Sequence, residues 1–187
     1  MKKPVFEGVA TAIVTPFHLG TIDFSAMEQL LDRQLAAGID AIVVCGTTGE
    51  ASTMTDNEKL ALIAHTVKYC AGRCRVIAGT GTNDTAHTMQ LSRVAASMGA
   101  DAVLCVTPYY NTCTQDGLVA HYSAIADEIP CPVIVYNVPS RTGVDVSVET
   151  CRILSAHPNI GGIKEASVSI SKAARILDVC GEALPVW

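Results

Sequence analysis

Lys164 stands within Ile160-Gly161-Gly162-Ile163-Lys164-Glu165-Ala166, at the end of a short apolar stretch with no other cation. Burial there disfavours an ammonium and draws a lysine pKa down from about 10.4, the change that makes its amine a nucleophile toward a carbonyl. Two further polar clusters close apolar runs upstream: Cys45-Gly46-Thr47-Thr48-Gly49-Glu50 and Tyr136-Asn137-Val138-Pro139-Ser140-Arg141-Thr142-Gly143. The phenol of Tyr136 can pass protons to and from a carbinolamine and an enamine when it is hydrogen-bonded to other hydroxyls. Thr47 and Thr48 supply hydroxyls, and Gly46 and Gly49 a backbone able to approach a carboxylate closely. Arg141 offers a planar fork suited to a second carboxylate. This set suggests Schiff-base chemistry on a 2-oxo acid with a carboxylated partner. The bland alternatives are an ordinary exposed lysine at a strand end and a surface arginine in a turn opened by Pro139.

These residues need elements that deliver them to one rim. Val9–Pro16 reads as a strand, and Asp23 caps a helix with Phe24, Met27, Leu30, Leu31 and Leu35 at helical spacing before Gly38. Ala41–Val44 reads as the next strand. Thr55-Asp56-Asn57-Glu58 is a capping box that opens a helix with Leu60, Ile63, Val67 and Cys70 on one face. Strands from Arg75, over Ala102–Thr107 and over Pro132–Tyr136 alternate with helices near Thr85–Met98, Thr114–Glu128 and Ser147–Ala156. The sixth strand carries Lys164, and a helix follows from about Ser169 to Gly181. Gly38-Ile39-Asp40-Ala41-Ile42 recurs as Gly99-Ala100-Asp101-Ala102-Val103 at the same helix-to-strand junction. Strand ends at Thr15, Thr47, Thr80, Thr107, Tyr136 and Lys164 repeat about every 30 residues, which specifies right-handed βαβ units around a parallel sheet. Periodicity leaves open whether that sheet is doubly wound or a barrel; in both, ligands bind at the carboxyl ends of the strands.

Composition excludes other classes. The net charge is −5 with no Lys/Arg cluster, which argues against a nucleic-acid surface. A hydrophobic fraction of 49% with 17% charged residues fits a sheet covered on both faces. No apolar run reaches the length of a membrane span and the opening Met1-Lys2-Lys3 leads to no clean cleavage site, so a cytoplasmic, membrane-free protein is expected. The eight cysteines are dispersed, and only Cys70 and Cys74 lie close together, which reads as reduced, buried thiols. His18, His65, His87, His121 and His157 show no metal-ligand spacing. Gly79-Thr80-Gly81-Thr82-Asn83-Asp84 lacks the third glycine of a dinucleotide fingerprint and reads as a tight strand-to-helix turn. Glu50 and Glu165 follow strand ends as candidates for acid–base work or for hydrogen bonding behind the site.

The motifs in combination resemble the dihydrodipicolinate synthase (4-hydroxy-tetrahydrodipicolinate synthase) family of the pyruvate-dependent class I aldolases. The resemblance runs over the whole chain, through Gly8–Pro16 with Phe17, Gly46–Glu50, Gly79–Gly81, Pro108–Asn111, Tyr136–Gly143 and Gly162–Ala166. It implies a (β/α)8 TIM barrel, an imine between Lys164 and pyruvate, and Tyr136 as proton shuttle. It further implies that Thr47 links Tyr136 to Tyr110, which family members insert into a neighbouring subunit's site. Thr48 would hold the pyruvate carboxylate and Arg141 that of L-aspartate 4-semialdehyde, in lysine and diaminopimelate biosynthesis. No cofactor or metal is implied, and the usual assembly is a homotetramer of tight dimers. Another pyruvate aldolase or lyase, such as an N-acetylneuraminate lyase relative, would keep Lys164 and Tyr136 but lack the Ser140-Arg141-Thr142 context and the Tyr109-Tyr110 pair.

Eight units of this repeat need about 240 residues. The 187 residues are therefore expected to form a single incomplete barrel domain, 1–187, with six βα units and the start of a seventh strand at Leu184–Trp187. A non-catalytic piece acting with full-length subunits is the corresponding alternative. Lysine-inhibited family members bind lysine near the positions of Ser52, Asp56, Lys59, Asn83, His87 and Tyr109. His87 stands where an acid is expected, so lysine insensitivity is expected here.

Overall fold

The computed structural model describes residues 2–187. Strand β1 (Ala10–Ala12) leads into a small antiparallel hairpin, β2 (Phe17–His18) and β3 (Thr21–Ile22), and then α1 (Phe24–Ala36). Next come β4 (Ala41–Val44), α2 (Asp56–Cys70), β5 (Arg75–Gly79), α3 (Thr85–Ser97), β6 (Ala102–Val106) and α4 (Gln115–Glu128). The chain continues through β7 (Val133–Asn137), a one-turn α5 (Pro139–Thr142), α6 (Val148–Ser155), β8 (Ile160–Glu165) and α7 (Ile170–Cys180). Asp23, Thr55, Asp84, Thr114, Ser147 and Ser169 each cap a helix by accepting a backbone N–H in the first turn. Each such cap stabilises by about 0.5–2 kcal/mol. The box at Thr55 is complete, with the Glu58 carboxylate accepting from the Thr55 N–H at 2.8 Å.

All main-sheet pairs are parallel, in the order β1-β4-β5-β6-β7-β8. Each strand lies beside the one before it, with no reversal. A doubly wound sheet reverses at a switch point, so the winding is that of a barrel, and the chain is an open arc of a (β/α)8 TIM barrel. Strand side chains alternate between two cores. Ile42, Val44, Val76, Ala78, Val103 and Cys105 face the helices. Val43, Ile77, Leu104, Ile134 and Tyr136 face inward with Phe6. Both faces are covered, which is why these strands read as continuous apolar runs. On the helical side, Met27 and Leu31 of α1 are fully buried, each contributing about 1.5–3 kcal/mol.

The repeated Gly-X-Asp-Ala junction has a structural task. The Asp40 carboxylate accepts from the Val9 N–H and the Asp101 carboxylate from the Val76 N–H, both at 2.8 Å. Each aspartate thus latches its own strand start to the start of the neighbouring strand.

Two expectations are corrected. The first strand is Ala10–Ala12 and not Val9–Pro16, because Val14 is exposed, Pro16 has no N–H to give, and the chain turns away into the hairpin. The buried face of α2 is Leu62, Ile63, Thr66 and Cys70, rotated from the one built on Leu60 and Val67. Thr66 can be buried because its hydroxyl donates back to Leu62 O at 2.8 Å. The hairpin and α5 were not anticipated. At the other edge, Ile163 bridges to Val186 in parallel, and Trp187 stacks on Phe6 at 4.8 Å between ring centroids. Among the described residues no helix is long and apolar enough to cross a membrane.

Candidate active site

The carboxyl ends of β7 and β8 place Tyr136 and Lys164 opposite one another as register partners. The Lys164 Nζ lies 4.2 Å from the centre of the Tyr136 ring. Among the described residues it has no ion-pair or hydrogen-bond partner. Burial disfavours the ammonium and lowers the Lys164 pKa. The expectation of a desolvated lysine holds.

The segment after β4 carries Thr47 and Thr48 in a tight turn, with Gly49 N–H donating to Gly46 O at 3.0 Å and Glu50 N–H to Thr47 O at 3.1 Å. The Thr15 hydroxyl, at the end of the β1 segment, donates to Gly49 O at 2.7 Å and holds this turn from behind. Gly79-Thr80-Gly81 packs against the same turn. A Cβ on Gly79 would stand 2.0 Å from Cys45 O, and one on Gly81 2.4 Å from Val106 N. Close approach of neighbouring strand ends, not nucleotide binding, explains that motif.

A cavity of about 450 Å³ opens at this rim, within the range of small-molecule sites. Thr47, Tyr136 and Arg141 line it, together with Thr80, Val138 and Lys59. Thr48, Tyr110 and Lys164 lie outside its lining, with Lys164 against the ring of the lining residue Tyr136. Arg141 comes from α5, whose helical turn after Pro139 ends at Gly143. A larger and more open depression of about 980 Å³ lies at the amino-terminal ends of β4 and β5, lined by Asp40, Arg73 and Arg75 among others. It contains none of the six candidate residues, and parallel barrels place their chemistry at the other end.

The hydroxyl relay expected from Tyr136 through Thr47 to Tyr110 is not closed within the described residues. Thr47 is exposed, the Tyr136 hydroxyl makes no hydrogen bond, and Tyr110 is 89% exposed at a loop tip with φ of 71°. The Tyr110 of that relay is expected from a neighbouring subunit, and its exposure leaves it available to one.

Behind the rim, Glu165 is a bonding partner and not an acid facing the cavity. Its side chain is 3% exposed and accepts from the Asn137 side-chain amide at 2.9 and 3.2 Å and from Ser167 N–H at 2.7 Å. Asn137, Asp145 and Lys172 were not singled out from the sequence. The signal was strand alternation: Asn137 and Glu165 each follow a rim residue and so point to the opposite face. Glu50 is exposed, outside the cavity lining, with φ of 60°.

At the cavity's outer edge the Asp56 carboxylate meets His87 Nε2 at 2.7 Å and Lys59 Nζ at 3.3 Å. The bond from His87, then that from Lys59, outweighs burial and lowers the Asp56 pKa. Among the described residues no group of three or more His, Cys, Asp or Glu side chains is arranged to hold a metal ion.

Residues 5–187 match the model of the dihydrodipicolinate synthetase family. A 4-hydroxy-tetrahydrodipicolinate synthase from Exiguobacterium sibiricum is 49% identical over 184 residues, 98% of this chain and 63% of that protein. The chain therefore spans about 63% of the length of that curated relative. The crystal structure of dihydrodipicolinate synthase from Thermotoga maritima superposes with a TM-score of 0.95 at 43% identity, covering 98% of this chain and 63% of the other. The chloride-inhibited dihydrodipicolinate synthase of Acinetobacter baumannii, solved with pyruvate, superposes at 0.94 with 42% identity, covering 96% and 62%.

Proposed function

The chain belongs to the dihydrodipicolinate synthetase family, and from that premise we propose that the protein condenses pyruvate with L-aspartate 4-semialdehyde to 4-hydroxy-tetrahydrodipicolinate, in lysine and diaminopimelate biosynthesis. The observation that carries this reading is the desolvated Lys164 amine held against the Tyr136 ring, beside a cavity that also presents Thr47 and Arg141.

The neutral Lys164 amine attacks C2 of pyruvate, and the carbinolamine loses water to give an imine. Loss of a proton from C3 yields the enamine, which adds to the aldehyde carbon of the semialdehyde. The amino group of the semialdehyde then displaces Lys164 from C2 as the ring closes, returning the lysine to its starting state. Tyr136 takes and returns the protons of these steps. Thr47 connects Tyr136 to a Tyr110 phenol supplied by a second copy, in keeping with the exposure of Tyr110. Thr48 binds the pyruvate carboxylate through its hydroxyl and the backbone of its turn. Arg141 binds the semialdehyde carboxylate. A homotetramer working in the cytoplasm is the assembly that fits this reading. Residues 1–187 enter it as a single, incomplete barrel domain, a reading supported by one helix-facing core that runs from α1 to α7.

Borohydride added with pyruvate tests the reading, because it reduces the imine to a stable secondary amine. Mass spectrometry of the digested protein is expected to place the adduct on Lys164. Recovery of unmodified Lys164, under conditions that label an established class I aldolase, would refute it.

A further inference from the structure

The two rim residues are each followed by a polar residue on the opposite face of the sheet, and those two meet. Asn137 and Glu165 are themselves register partners. Asn137 is fully buried; its amide donates to both Glu165 oxygens and to Asp145 Oδ1 at 2.9 Å, and its carbonyl oxygen accepts from Val146 N–H at 3.0 Å. Lys172, on the first turn of α7, bonds Asp145 Oδ1 and stands 3.8 Å from Glu165. Four segments therefore converge on one cluster: the ends of β7 and β8, the loop after α5, and the start of α7.

The buried charge of the cluster ties its geometry to its bonds. A carboxylate as buried as Glu165 is tolerated only when its oxygens are bonded and its charge is compensated. Here Asn137, Ser167 N–H and the Lys172 ammonium supply those partners, and each bond needs a specific separation between strand ends. Asn137 also clips both ends of the segment that carries Arg141, since it precedes that segment and bonds Asp145 and Val146 after it.

We propose that Asn137, Glu165, Asp145 and Lys172 form a positioning cluster that holds Lys164 against Tyr136 for imine formation and ties the Arg141 turn to the same strand ends. The proposal rests on the reading of Lys164 as the imine-forming residue. Asn137 and Glu165 each follow a rim residue and face the opposite side of the sheet, so the cluster acts through Lys164, Tyr136 and Arg141 rather than on substrate.

The test compares Asn137→Ala and Glu165→Gln with Lys2→Met. Lys2 is a control at the other end of β8, where its ammonium donates to the carbonyls of Ser155, His157 and Ile160. Borohydride trapping of the pyruvate imine is timed for each protein over a range of pyruvate concentration and pH, with melting temperatures measured in parallel. Small misplacements of a reacting group cost up to about 100-fold. Trapping at saturating pyruvate is thus expected to slow by about 10- to 100-fold in Asn137→Ala and Glu165→Gln, with little change in the pyruvate needed for half-maximal rate. In Asn137→Ala, which alters no charge, release of Lys164 into water is expected to move the pH midpoint of trapping upward. Lys2→Met is expected to lower the melting temperature while leaving rate and midpoint unchanged. Should Asn137→Ala fail to fold, Glu165→Gln decides through the rate alone, because it keeps the side-chain volume. Rates like the parent's in the folded variants, or the same slowing in Lys2→Met at equal loss of stability, would overturn the proposal. Absence of any adduct in the unsubstituted protein would overturn the assignment of Lys164, and the proposal with it.

Discussion

A lysine amine attacks a carbonyl only in its neutral form, and burial at a strand end, with no counter-ion among the described residues, lowers the Lys164 pKa toward that form. Arg141 presents the opposite case. A guanidinium stays charged, so its exposure on α5 at the cavity edge suits it to catch a carboxylate and not to take part in proton transfer. The two residues therefore separate in experiment. Arg141→Ala is expected to raise the semialdehyde concentration needed for half-maximal rate by about 10- to 100-fold, the worth of one hydrogen-bonded charge contact of about 1.5–3 kcal/mol. Imine formation with pyruvate should be nearly unchanged. Steady-state kinetics in both substrates, with borohydride trapping alongside, check this; an equal loss in trapping would show that Arg141 serves pyruvate instead.

At the scale of elements, the amino-terminal ends of α2 and α3 meet through Asp56 and His87. Asp56 is the carboxylate at this edge, and both its oxygens are engaged, one by His87 and one by Lys59. An incoming lysine would bring an ammonium that finds both Asp56 oxygens engaged and meets Lys59 beside them. An unpaired ammonium at a partly buried surface loses most of its binding energy. Synthase activity in the proposed enzyme is therefore expected to be insensitive to lysine. A titration of lysine against activity checks it, and inhibition at sub-millimolar lysine would show the expectation wrong. Inhibition restored by His87→Glu would identify a missing acid as the cause.

Over the whole molecule, stability carries a pH dependence that originates between α3 and α4. His121 is 5% exposed, with Nδ1 at 2.8 Å from the Thr85 hydroxyl, Nε2 without a partner among the described residues and the Tyr122 ring edge-on at 5.1 Å. Burial pushes its pKa down to about 4. The unfolded chain titrates near 6.5, so between those values it binds the extra proton and the folded protein does not. Stability is full above about pH 6.5 and falls as pH drops toward 4, by about 1 kcal/mol per pH unit inside the window. The lowered carboxylates Asp56, Asp145 and Glu149 lose their contribution mainly below it. Urea midpoints are expected to be lower at pH 5 than at pH 7, and His121→Leu should flatten the difference. A slope unchanged by that substitution would place its origin elsewhere.

Much of this architecture was legible in the order of residues, because its causes are local. The caps read at Asp23 and Thr55 act on their own first turns, and alternation along Ile42–Val44 or Val133–Tyr136 expresses two buried faces. The lysine and tyrosine were legible for the same reason, since each is a polar residue ending an apolar run. What the tertiary structure alone decided depends on contacts between segments distant in sequence. The same periodicity serves a doubly wound sheet and a barrel, and strand pairing chose the barrel. The exposure of Tyr110 follows from a left-handed loop conformation that residue type does not encode. The stacking of Lys164 on Tyr136, and the bond between Asn137 and Glu165 behind them, both require the β7–β8 register, which a shift of one residue would invert.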